Sequence, residues 1–129
     1  MRRHDTETNF NLFQVDQTND AGGGFAALRL LPNQDLSDGI DRACKTLGWK
    51  SASVQGLGSV NTAQFDDGRW LDSLPTEFLI LDATAGDGAR GPEIVIVGKD
   101  ETEILTGRLS RGKNMVLVTA ELVLSRLDI

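Results

Sequence analysis

Apolar and polar positions follow two rhythms along this chain. From Leu36 to Leu47 the apolar side chains Leu36, Ile40, Ala43, Cys44 and Leu47 recur at three- and four-residue spacing, which gathers them on one face of a helix. Asp35 stands where an N-cap belongs, Asp38 falls in the first turn, and Gly48 supplies the left-handed stop. The remaining regular sequence has strand character: Phe25 to Leu31, closed by the turn Pro32-Asn33, then Ser51 to Phe65, Glu77 to Ala83, Glu93 to Val97, Thr102 to Leu109 and Asn114 to Ser125.

The last strand is apolar on both sides. Val116, Val118, Ala120, Leu122 and Leu124 form one alternating face, and Met115, Leu117 and Val123 put apolar side chains on the other. Such a strand belongs inside a sheet, with cover on each face. One short helix covers one face, so the second cover is either the sheet curling over itself or another subunit. Homo-oligomerisation is the preferred reading, and Phe78, Met115, Leu117 and Val123 are the candidate interface residues. One helix and five or six strands make an α+β module with a largely antiparallel sheet.

Residues 1–24 differ from this pattern. They are dense in Asn, Asp, Thr and Gln and end in Gly22-Gly23-Gly24, which reads as a polar tail and hinge ahead of a single domain, residues 25–129. Within the tail, Asn9 to Val15 can add one edge strand through Phe10 and Leu12.

Composition then narrows the chemistry. A chain of 129 residues with 40% hydrophobic and 25% charged residues is an ordinary globular domain. Its net charge of −6 opposes sequence-independent attraction to phosphate backbones or anionic lipid. One cysteine and one histidine provide neither a disulfide nor a metal-binding set, and His4 sits in the polar tail, away from any nucleophile. No apolar run approaches a membrane span or a signal segment, which points to the cytoplasm.

Three constellations remain. Gly56-Leu57-Gly58-Ser59 offers a phosphate cradle in principle, but no Lys-Ser or Lys-Thr pair and no helix follow it, so a bulge or bend fits better. Asp66, Asp67, Asp72, Asp82, Asp87, Glu93 and Glu121 are carboxylates from which an acid–base pair could be drawn, though no spacing selects one. Glu121 stands out, because it interrupts the most apolar strand and needs a partner if buried. Arg108, Arg111 and Lys113 fall within six residues and form a basic cluster suited to a phosphate or an acidic partner, or else a solvated hairpin end.

Read in order, several segments resemble the PPC ("plants and prokaryotes conserved") domain. They are Leu30-Leu31-Pro32-Asn33-Gln34-Asp35-Leu36, Gly48, Gly56-Leu57-Gly58-Ser59 with Ala63, Glu77-Phe78-Leu79-Ile80-Leu81, Gly107-Arg108-Leu109, and Val118-Thr119-Ala120-Glu121-Leu122-Val123-Leu124. The resemblance implies a PPC-like fold of one principal helix and a largely antiparallel sheet, assembled as a homotrimer. Many prokaryotic members carry Pro-His-x-His and Gly-His-Leu stretches whose histidines bind a metal. Here the matching positions hold Glu93, Val95 and Arg108, so no zinc and no other cofactor is expected. If the last two short strands form a hairpin about Asp100-Glu101, Glu93 falls opposite Arg108 and an ion pair takes the metal's place. The Arg-Gly-Arg-Pro AT-hook that reads the minor groove in plant members is missing, and residues 21–129 carry 11 basic against 15 acidic residues.

The leading function is therefore a non-enzymatic, trimeric assembly module acting through protein partners or a small anionic ligand at Gly56, Gly58, Ser59, Glu93, Arg108, Arg111 and Lys113. A DNA-associated regulator using the basic turn is the first alternative. An enzyme acting on a small anionic substrate through carboxylates and Arg108 is the second.

Overall fold

The computed structural model describes residues 10–15, 24–71, 76–97 and 104–128. Its single described helix, α1 (Leu36–Leu47), has the caps its sequence requires. The Asp35 carboxylate accepts the Asp38 N–H at 2.9 Å, and Gly48, at φ 76°, turns the chain so that its own N–H reaches the helix's last carbonyls. Leu36, Ile40, Ala43 and Cys44 are buried, as the spacing predicts.

Seven strands lie side by side: β1 (Phe10–Val15), β2 (Phe25–Leu30), β3 (Ser51–Val60), β6 (Thr76–Asp82), β8 (Glu93–Val97), β9 (Ile104–Arg108) and β10 (Val116–Arg126). Their order is β1-β2-β10-β3-β6-β8-β9, and every neighbouring pair is antiparallel. β7 (Thr84–Gly86) extends the ladder on β3, while β4 (Ala63–Gln64) and β5 (Trp70–Leu71) form a separate small hairpin. The fold is mostly antiparallel sheet with one helix. β10 lies between β2 and β3, the interior place that its two apolar faces demand.

The inner face of the sheet carries Ala26, Leu28, Leu30, Val54, Phe78, Ile80, Ile94, Ile96, Val116, Leu122 and Leu124, all buried. α1 packs against β7 and against β1, β2 and β10. Phe65, which precedes the β5 strand, lies over Gly107 of β9 and bridges to Leu109. A polar knot around the buried Asn114 ties these parts together. Asn114 donates through Nδ2 to the Gln64 and Ser110 carbonyls at 3.1 and 2.9 Å, and its Oδ1 accepts the Gln64 N–H at 2.8 Å. Its own N–H reaches the free oxygen of the Asp35 cap at 3.0 Å. The start of the helix is thus fixed to the turn before β10.

Three departures from the sequence reading have physical causes. The long segment Ser51 to Phe65 stops at Val60, where the chain turns and the Asn61 N–H bonds the Met115 carbonyl at 3.0 Å. Val118, expected in the core, is 61% exposed, because β10 bulges against β3 between Val116 and Ala120 and throws this side chain outward. Phe78, expected at an interface, is 3% exposed and points into the core. In the N-terminal region, Phe10–Val15 forms β1 on β2. The polar tail to Asn9, the hinge glycines Gly22 and Gly23, and the turn Asp100-Glu101 lie outside the described residues.

Candidate functional site

Nothing in the described chain covers the outer face of the sheet. Directly paired residues run across it as a single row of Arg29, Glu121, Leu57, Leu79, Val95 and Thr106 on six adjacent strands. Leu57 is 55% and Leu79 48% exposed, and Leu81, Val97, Ile104 and Val123 add exposed apolar surface around them. Met115 is exposed and Leu117 half-buried, so three of the four expected interface residues are accessible. Where Phe78 is buried, its neighbours of opposite parity, Leu79 and Leu81, are exposed on this face.

Charge closes the apolar centre on two sides. Toward β2, the Glu121 carboxylate holds Arg29 at 2.8 Å, so this acidic residue lies at the rim and is paired. Toward β8 and β9, the register sets Glu93 directly opposite Arg108. The Arg108 guanidinium lies 3.8 Å from Glu93 and 3.7 Å from Asp82, and donates to the Gly91 carbonyl at 2.7 Å. Its side chain is only 21% exposed, because these partners enclose it.

Those positions do not fit a metal ion. Glu93 offers one carboxylate, Val95 offers no donor, and a permanently charged guanidinium stands where the third ligand would be. Among the described residues, no group of three or more His, Cys, Asp or Glu side chains converges on one point.

The glycine motif serves the sheet. A Cβ on Gly56 (φ 147°) would sit 2.2 Å from the Glu121 carbonyl oxygen, and one on Gly58 would sit 2.7 Å from the Ala120 Cα, so β3 and β10 approach here as only glycine permits. Ser59 is buried, and its hydroxyl accepts the Val118 N–H at 3.2 Å inside the bulge. Gly56, Gly58 and Ser59 therefore shape the ladder and present no cradle.

The basic cluster separates in space. Arg108 joins the outer-face carboxylates, Arg111 pairs with Asp41 of α1, and Lys113 lines a groove with Arg69 and Trp70 beside the small hairpin. That groove went unread in the sequence. Its only signal was an aromatic residue, Trp70, following Gly68-Arg69 in a turn, and Trp70 is 64% exposed. The candidate catalytic carboxylates are largely engaged. Asp66 holds Arg90 at 2.9 Å, Asp67 holds Arg69 at 2.8 Å, and Asp82, Glu93 and Glu121 share arginines as above, while Asp72 lies outside the described residues. The Arg69 backbone N–H, ahead of its guanidinium, holds the Asp67 carboxyl below the usual carboxylate range. Cys44 is buried, its thiol donates to the Trp49 carbonyl at 3.4 Å, and burial raises its pKa.

This arrangement of one helix and a mostly antiparallel sheet is a fold shared with known structures. A hypothetical protein from Salmonella cholerae-suis superposes with a TM-score of 0.65 at 21% identity, over 86% of this chain and 83% of that one. A candidate DNA-binding protein from Bacteroides thetaiotaomicron gives 0.61 at 14% identity, over 92% and 85%. A plant- and prokaryote-conserved (PPC) protein from Pyrococcus horikoshii gives 0.58 at 16% identity, over 88% and 86%. At these identities the likeness is one of fold. No protein-family model matches the sequence, and no curated protein matches it.

Proposed function

We propose that this chain is a non-enzymatic, PPC-like cytoplasmic module that assembles as a homotrimer through the outer face of its sheet and acts through protein or small-ligand contacts. The observation that carries this reading is the exposed centre of Leu57, Leu79, Leu81, Val97, Ile104 and Val123, rimmed by the Arg29–Glu121 and Arg108–Glu93 pairs. An apolar patch of this breadth with a polar border has the anatomy of a protein interface. Each border pair joins opposite charges, so a second copy meets little net repulsion there. The resemblance to the PPC domain supplies the number three, and the ion pair at Arg108 supports a lost metal site.

Light scattering tests this: a mass of three chains is expected, and Leu57→Asp with Leu79→Asp should give monomers that retain their helical signal. A wild-type monomer would overturn the proposal.

A second reading, a DNA-associated regulator, is favoured by the fold shared with the Bacteroides protein. It requires Arg111 and Lys113 to act as a patch repeated by symmetry. A gel shift on the same sample should then show binding that weakens steeply with salt and is lost on Lys113→Glu.

A further inference from the structure

On the opposite side of the sheet, an open cleft of about 870 Å³ lies at the C-terminal end of α1. Buried Cys44, Trp49 and Ala85 form its floor, and exposed Lys45, Lys50 and Leu127 stand around it. Its volume lies within the range of small-molecule sites. Charge pairing says what it would take. Every described arginine holds a carboxylate: Arg29, Arg42, Arg69, Arg90, Arg108, Arg111 and Arg126. Among the described residues, Lys45, Lys50 and Lys113 have no such partner, and two of these three line this one cleft. Of the carboxylates at the cleft, Asp41 is neutralised by Arg111, and Asp128, which accepts the Lys50 N–H, by Arg126, which leaves Asp87 against two lysines and an excess of one positive charge. Lys45 also answers the helix dipole, whereas Lys50 has no carboxylate partner for its charge among the described residues.

We propose that this cleft binds a small organic anion, its single negative headgroup between Lys45 and Lys50 and its apolar body against Trp49 and Cys44. The site is independent of the outer face and of the oligomer formed there. The test uses the Trp70→Phe protein, in which Trp49 is the one remaining tryptophan of the two in the sequence. Titrated with anilinonaphthalenesulfonate and excited at tryptophan, it should show saturable energy transfer at one probe per chain. Lys45→Met with Lys50→Met should raise the dissociation constant at least about tenfold, and Leu57→Asp with Leu79→Asp should leave it unchanged. Each single lysine variant should lose part of the affinity, which keeps the test open if the double variant misfolds. Affinity unchanged by the lysine variants, or lost only with the leucine variants, overturns the proposal.

Discussion

Glu93 and Arg108 face each other across the β8–β9 ladder, their charged groups 3.8 Å apart, with the Gly91 carbonyl and Asp82 completing the guanidinium's surroundings. Arg108 thereby ties the end of β6, the approach to β8 and the edge strand β9 together. Arg108→Ala should lower stability by about 1–2 kcal/mol, mostly through the orphaned Gly91 carbonyl and the lost packing. Glu93→Ala, at a half-exposed position, should cost about 0.5 kcal/mol or less. Urea midpoints would show the difference.

Positions 93, 95 and 108 share one face on adjacent strands. The resemblance to the PPC domain implies that imidazoles placed there can converge. The triple variant Glu93→His, Val95→His, Arg108→His should take up one zinc per chain at neutral pH, where the wild type takes up none, as read by metal analysis after dialysis.

Asn114 is 1% exposed and holds three backbone groups through its side chain. Asn114→Ala leaves the Gln64 N–H and the Ser110 carbonyl without this partner, while the Gln64 carbonyl keeps the Ser110 N–H at 2.8 Å, and should cost about 2 kcal/mol. A lowered thermal midpoint with a loosened β4–β5 hairpin, seen as faster hydrogen exchange at Gln64, would be the signature.

Gly58→Val should be still more damaging. The added atoms meet the backbone of Ala120, which cannot withdraw without breaking the β3–β10 pairing. A loss of more than about 3 kcal/mol, or insoluble protein, is expected.

Asp128 accepts the Lys50 and Ser51 N–H groups at 3.0 and 3.3 Å and pairs with Arg126, closing the end of β10 onto the start of β3. The Lys50 N–H in particular holds its carboxyl far below the usual carboxylate range. A depressed folded pKa means that this contribution is complete above the unfolded value of 3.8 and drains away as the pH falls below it. The thermal midpoint of the wild type should therefore drop more steeply between about pH 4 and about pH 2 than that of Asp128→Asn.

Much of this architecture was legible because local rules and the fold agree. The helix ran between its own punctuation at Asp35 and Gly48, and the β8–β9 pairing followed from two strands set either side of one turn. Where the sequence misled, alternation was missing or interrupted. Glu77 to Leu81 is apolar at both parities after its first residue, so nothing local chose between Phe78 and Leu79 for the core; the ladder with β3 chose. Val118 obeyed the alternation of its strand until a bulge, hinted at only by the glycines of the facing strand, reversed its direction. β4, β5 and β7 are two or three residues long, too short for any period to show. The basic cluster failed differently, because closeness along the chain says little about which carboxylate each arginine meets.

The position of β10 has a consequence for how the molecule is made. Residues 116–126 fill the slot between β2 and β3, so a nascent chain that has already produced both of those strands still has two raw edges with nothing between them. Synthesis must deliver the tenth strand before the sheet can close up, and the half-built polypeptide is exposed to misassembly in that interval.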